Sequence, residues 1–343
     1  MLRLPKFKYV APDSLQEVSR ILAAEGKDAM IVAGGTDIYP KMKRRQFVPK
    51  TLLGLRQFPE LSEIRGDASS GLVIGASASL TAVSDHPAIF ESYQGLSKAT
   101  GAVSTPILRN MGTLGGNLCL DTRCNYYDQT HHWREGIGWC MKAPSEKGWP
   151  VIGEVSDNST GIPCRVAPGS PRCWAVSSTD SAPMLMALGA KVRMTGASGE
   201  REISVGELYR DDGMFYLSKS HDEVLTEIAL PAADGIKSTY WKLRRRESFD
   251  FPVLGVAVAL KQSGDGTIEH AKIVIGGVGS RPFEMTEAEN LLIGQKPVDE
   301  VLEAVGDAVF KPARPLDNTD YHLFYRKRMA PVYVKRAIRE LIA

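Results

Sequence analysis

The chain has 343 residues, 43% of them apolar and 24% charged, a length and balance suited to two or three globular domains. Its 42 basic side chains against 40 acidic ones leave a net charge near +2, without the basic excess of a nucleic-acid or membrane-surface binder. No apolar run reaches the roughly 20 residues of a membrane span, and the opening MLRLPKFKYVAPDS lacks an export signal's apolar region, so a cytoplasmic protein is expected.

Residues 7–45 read as a strand, a helix, a second strand and a glycine turn leading into a short helix. Asp13 or Ser14 can cap a helix whose apolar face is Leu15, Val18, Ile21 and Leu22, and Gly26 ends it. Ala29 to Val32 is a short buried strand. TLLGL and GLVIGAS, between residues 50 and 79, are β-like runs, and Leu80 to Pro87 begins another helical region. Alternation of this kind favours mixed α and β structure.

From about Asp121 to Ala175 the chain is rich in Gly, Pro, Ser, Asn and Trp and has no sustained period. So long a structureless stretch inside a compact domain is functional, disordered or stapled. Regular structure returns at SAPMLMALGAKVRMTG, an apolar helix followed by a strand. Composition changes again near residues 231–238. VLGVAVALKQ and IEHAKIVIGGVGSRP then read as antiparallel strands joined by SGDG, and Ser/Thr-type starts are expected before helices at 287–293 and 298–309. The terminal TDYHLFYRKRMAPVYVKRAIRELIA is an amphipathic helical stretch.

All five cysteines (Cys119, Cys124, Cys140, Cys164 and Cys173) fall within residues 119–173. An odd number without an export signal argues against a disulfide framework and leaves metal binding, redox chemistry or plain burial. The spacings of 16, 24 and 9 positions from Cys124 onward match neither compact ferredoxin spacing nor paired zinc knuckles. Four thiolates can staple a loop around an iron-sulfur cluster or a zinc ion, with His131 and His132 as substitute ligands or simply solvated side chains.

Two glycine loops lie outside the cysteine block. Ala33, Gly34, Gly35, Thr36 and Asp37 lie between strand and helix start, where backbone approaches an anion closely and amides face it. Asn110 to Asn117, NMGTLGGN, offers a second close-approach loop. Together they can grip the two phosphates of one dinucleotide, although each can also be an ordinary tight turn. Neither dinucleotide G-x-G-x-x-G nor G-x-x-x-x-G-K-[ST] is present.

AGGTDIYPKMKRR, RNMGTLGGNLCLDTRC, SSTDSAPMLMALGA, KLRRRESFDFPVLGVAVAL and YRKRMAPVYVKRAI, in this order, resemble the FAD-binding subunits of the xanthine oxidase family of molybdenum hydroxylases. The cysteine block, beginning LDTRCNYYDQ and continuing through WREGIGWCMK, resembles that of the β subunits of 4-hydroxybenzoyl-CoA reductases. The resemblance implies an α+β chain. Its FAD-binding domain, of the PCMH/vanillyl-alcohol-oxidase-like type, covers 1–230, with subdomains 1–55 and 56–230 and an iron-sulfur insertion at about 121–176. A C-terminal α+β domain resembling that of CO dehydrogenase flavoproteins covers 231–343. It implies FAD held by Val32, Ala33, Gly34, Gly35, Thr36, Asp37 and Ile38, by Thr113, Leu114, Gly115, Gly116 and Asn117, and by Asp180 and Lys242. It further implies a 4Fe-4S cluster on Cys124, Cys140, Cys164 and Cys173, with Cys119 structural and the Cys140 to Cys164 spacing longer than in the reductases.

The implied role is an oxidoreductase subunit without catalytic residues of its own for the organic substrate. Electrons from a ferredoxin or similar carrier pass through 4Fe-4S and FAD to 2Fe-2S and molybdenum-cofactor subunits, in a dimer of heterotrimers that removes a phenolic hydroxyl. Arg123 and Arg165 are expected to raise the cluster potential and four tryptophans (Trp133, Trp139, Trp149, Trp174) to limit water. Competing readings are a related aromatic or heteroaromatic hydroxylase with a zinc-stapled insertion, and a non-catalytic scaffold. Lys242, which opens the basic run KLRRR, can alternatively be a solvated strand edge.

Overall fold

The computed structural model describes residues 2–143 and 161–343 and contains three sheets. The first is parallel, with strands β1 (Lys8–Val10), β2 (Ala29–Val32) and β3 (Thr51–Gly54) in the order β1-β3-β2. The helix Leu15–Glu25 connects β1 to β2; the Ser14 hydroxyl accepts the Glu17 N–H at 3.1 Å, and Gly26 closes it at φ +52°. Val18 and Leu22 on its inner face pack against Leu53 and Phe58. The first glycine loop leaves β2 and enters the helix Ile38–Lys43.

The second sheet is antiparallel: β4 (Ile64–Asp67), β5 (Gly71–Gly75), β6 (Lys191–Gly196), β7 (Gly199–Ser204) and β8 (Val224–Leu230), ordered β4-β5-β8-β6-β7. Its β5–β8 pairing joins chain that precedes the cysteine stretch to chain that follows it. The stretch is thus an excursion from a finished sheet. Its neck is a small antiparallel bridge in which Arg123 and Val176 exchange backbone hydrogen bonds of 2.8 and 2.7 Å. Inside it, Thr130 caps a short helix, His131–Gly136, that the absence of a sequence period concealed. The spacing excess between Cys140 and Cys164, and Trp149, lie outside the described residues.

The third sheet holds β9 (Lys237–Leu243), β10 (Leu254–Gln262), β11 (Ile268–Gly276) and β12 (Phe283–Glu284) in the order β12-β11-β10-β9. β10 is apolar on both faces because both are covered. Val256, Val258 and Leu260 face helices Thr286–Leu292, Asp299–Phe310 and Leu323–Ile342, while Ala257 and Ala259 join the core of the second sheet. The Ser/Thr caps expected before two of these helices are absent, since Met285 and Val298 occupy the cap positions. Asp299 and Glu300 in the first turn instead complement the positive helix N-terminus.

Candidate functional site

The two glycine loops lie against each other. A Cβ on Gly34 would overlap the Met111 carbonyl oxygen, and Gly35 turns at φ +76° against the Tyr39 ring. The N–H groups of Gly34, Gly35 and Thr36 find no protein acceptor among the described residues, the state of amides arranged to face an anion. The second loop is built differently. Leu114 and Gly115 donate to Ala78 and Ala76, Gly116 donates to the Thr113 hydroxyl at 3.1 Å, and Asn117 donates to the Thr113 carbonyl. Those four amides hold the loop together, so its contribution to a ligand is close approach and Thr113.

Asn117 ties this loop to the helix Ser181–Ala187. Its Oδ1 accepts from the hydroxyls of Thr179 and Ser181 at 2.7 and 2.6 Å and from the Ser181 N–H. That fixes Asp180, whose buried carboxylate meets Lys242 Nζ at 3.0 Å and the Tyr240 hydroxyl at 2.9 Å. Burial pushes the Asp180 pKa up, against the pull of Lys242. Lys242 lies on edge strand β9, but its side chain is only 4% exposed and also donates to the Ala102 carbonyl at 2.9 Å. It is therefore a member of a buried pair and not a solvated strand edge.

Four cysteines share one pocket. Cys124, Cys140, Cys164 and Cys173 are each buried and line it together with Tyr126, Tyr127, Met141, Lys142, Arg165, Val166 and Ala175. The Ala175 N–H donates to the Cys173 sulfur at 3.4 Å, and backbone amides near Cys124, Cys140 and Cys164 favour their charged forms. Such amides favour thiolate and stabilise charge on sulfur ligands. Burial pushes the Cys124 thiol up to about 12, whereas the hydrogen bond from Cys173 brings Cys164 down to about 5. Cys119 stands apart, packed against the core of the second sheet.

Among the described residues, the group of three His, Cys, Asp or Glu whose ligand atoms all lie within 4.8 Å of one another is His131, His132 and Glu135. Of the pocket sulfurs, Cys173 and Cys164 are close enough to hydrogen-bond each other. A tetrahedral zinc with Zn–S near 2.3 Å would place its sulfurs only about 3.8 Å apart. His131 packs edge-on against Trp139 with centroids 5.1 Å apart, and neither histidine lines the cysteine pocket.

Two further expectations change. Among the described residues no tryptophan lines the pocket; Trp133 is 40% exposed, and Trp174 stacks on Arg172 with the guanidinium 3.7 Å from its ring. The wall is made by smaller aromatic and apolar side chains. Arg123 turns from the pocket to pair with Asp37 of the first glycine loop and stacks 3.5 Å over Phe251. Arg165 does line the pocket and donates to the carbonyls of Trp139, Ile137 and Gly138. Sequence reasoning missed Asp128, which accepts the Cys124 N–H at 3.2 Å, and the buried Lys41, Asp121 and Lys142 beside it. Asp121 and Asp128 bracketing Cys124 were the available signal, but Lys41 is too distant in sequence to be connected.

Residues 5–233 match the family described as FAD binding domain in molybdopterin dehydrogenase, about two thirds of the chain. The chain belongs to this family. Residues 238–341 match the CO dehydrogenase flavoprotein C-terminal domain. The FAD subunit is 25% identical to the glyceraldehyde dehydrogenase medium chain of Sulfolobus acidocaldarius, over 98% of this chain and 99% of the relative. It is 26% identical to the carbon monoxide dehydrogenase medium chain of Hydrogenophaga pseudoflava, over 97% and 96% of the two chains. The solved structure of that carbon monoxide dehydrogenase, in a form lacking the Mo-pyranopterin moiety, superposes with a TM-score of 0.77 over 99% of this chain and 98% of its own. The protein is thus the FAD-binding oxidoreductase subunit of a molybdenum hydroxylase-type complex, with the mixed α and β fold of that group. Among the described residues no helix is long and apolar enough to cross a membrane.

Proposed function

We propose that this FAD subunit also carries a 4Fe-4S cluster on Cys124, Cys140, Cys164 and Cys173, and that it serves a complex of the 4-hydroxybenzoyl-CoA reductase type. The reading is carried by one observation: four cysteines spread over 50 residues line a single buried pocket. When bound, FAD supplies exchange between paired and single electrons, and the cluster supplies one-electron exchange. Electrons would enter from a ferredoxin or similar carrier and leave for 2Fe-2S and molybdenum-cofactor subunits, in a dimer of heterotrimers whose molybdenum subunit removes a phenolic hydroxyl.

Within the FAD subunit, residues 32–38 contribute amides and glycine clearance for the pyrophosphate, with Thr36 and Thr113 adding hydroxyls. Gly115 and Gly116 let the second loop approach, Leu114 and Asn117 hold its shape, and Asp180 with Lys242 forms a buried polar pair for the flavin ring. The domain limits that go with this reading are 1–230 and 231–343.

Iron, acid-labile sulfide, zinc and FAD per chain in anaerobically purified protein test the cluster, with Cys140→Ser alongside. Four iron, four sulfide and one FAD are expected, with iron lost in the variant. FAD with zinc and no sulfide would leave the family membership intact and refute the cluster. Turnover of 4-hydroxybenzoyl-CoA by the assembled complex with a low-potential one-electron donor tests the substrate; no dehydroxylation would refute it.

A further inference from the structure

We infer that Lys142 and Asp121 are an opposed pair of buried charges that set how readily the four-cysteine site takes up an electron, the lysine favouring uptake and the aspartate resisting it. This rests on the iron-sulfur reading above. Lys142 lies on the pocket wall, two residues after Cys140, and its side chain is 2% exposed. Its ammonium donates to Asp121 Oδ1 at 2.6 Å, to the Thr122 hydroxyl and to the Gly213 carbonyl at 2.7 Å. The other oxygen of Asp121 meets Lys41 Nζ at 2.8 Å and the Tyr127 hydroxyl at 3.0 Å. Both ammonium groups stand 4.8 Å from the centre of the Tyr127 ring, itself a wall of the pocket.

Removing three charges from water is costly, and a buried ion triad is seldom a better source of stability than apolar residues of the same volume. Its position supplies a reason for it. The Lys142 charge acts on both Cys140 and Cys173 across a wall that excludes water, where screening is weak. The immediate surroundings carry Lys41, Lys142, Arg123, the buried Arg134 and the pocket-lining Arg165 against Asp37, Asp121 and Asp128, a surplus of two positive charges. One electron arriving from an external one-electron donor adds one negative charge to the site, with no bond or proton moved. A fixed cation facing the sulfurs stabilises that added charge, and a fixed carboxylate opposes it. Arg165 also lines the pocket, but part of its side chain reaches solvent, where its charge is screened.

The test is an anaerobic redox titration of the full complex, following the cluster by electron paramagnetic resonance in wild type, Lys142→Met, Lys142→Arg and Asp121→Asn, with iron and sulfide measured in each. Lys142→Met is expected to lower the reduced-to-oxidised ratio at fixed potential about tenfold, about 59 mV for one electron. Asp121→Asn should raise that ratio by a similar factor, and Lys142→Arg should stay close to wild type. Loosened packing does not produce shifts of opposite sign. Retained iron with unmoved potentials, or shifts of the same sign, overturns the inference and leaves the iron-sulfur reading standing. If Lys142→Met loses its iron, Asp121→Asn decides: a raised ratio supports the inference and an unchanged one overturns it. Wild-type protein without iron and sulfide removes both readings.

Discussion

Gly34 is where a single added carbon does most at the first glycine loop, because the Met111 carbonyl already occupies the space beyond its hydrogen. Gly34→Ala is expected to destabilise by about 1 to 3 kcal/mol through overpacking and to reduce bound flavin; absorbance at the flavin band per chain and thermal unfolding measure the two effects. The Asp180–Lys242 pair has the opposite sensitivity, to deletion. Lys242→Met leaves a buried carboxylate without its cation, a change that typically costs about 3 to 5 kcal/mol. Asp180→Asn in the same chain should restore much of that loss in urea unfolding. Acid acts through other carboxylates. Burial opposes ionisation of Asp128, but Lys41 and Arg123 outweigh it and hold its pKa below the ordinary value. Its contribution is therefore complete above the unfolded value near about pH 4 and disappears as pH falls through the lower folded value. The urea midpoint should drop on acidification below pH ~4, and less steeply in Asp128→Asn. The chemistry-bearing residue types at these sites were legible as motifs. Their partners were not, because Lys41 with Asp121 and Asp180 with Lys242 are joined only by the completed fold.

At the scale of elements, what local physics determines was readable. The helix Leu15–Glu25 has its cap, its apolar face and its terminating glycine in adjacent sequence, and all three are in place. Ser14→Ala should cost about 1 kcal/mol, visible as a lower unfolding temperature with flavin content unchanged. The starts of Thr286–Leu292 and Asp299–Phe310 were less legible. The first packs against β11 and the second against the helices Thr286–Leu292 and Leu323–Ile342, so tertiary contacts replace the side-chain cap. The cysteine excursion was legible as an insertion but not in its anchoring. Arg134, 1% exposed, donates to the carbonyls of Gln129, Arg44 and Arg45, binding the excursion to the chain that follows the first glycine loop. Nothing in WREG announces that role, since an arginine on a polar helix is ordinarily solvated.

Over the whole molecule, the pocket and the glycine loops are joined by a short run of polar contacts. Cys124 donates its N–H to Asp128, Asp128 faces Arg123, and Arg123 pairs with Asp37. The cysteine excursion also reaches the C-terminal part of the chain, where the Asn125 N–H donates to the Asn318 carbonyl and Asn318 Nδ2 donates to the Trp174 carbonyl. A cluster in the pocket would thus be braced between the first glycine loop and the segment that joins the last two helices. The most direct measurement is anomalous diffraction at the iron and zinc edges from anaerobically grown crystals of the complex. Iron scattering bounded by Cys124, Cys140, Cys164 and Cys173 and none at the zinc edge is expected; a single zinc peak, or an empty pocket with paired disulfides, would contradict the iron-sulfur reading.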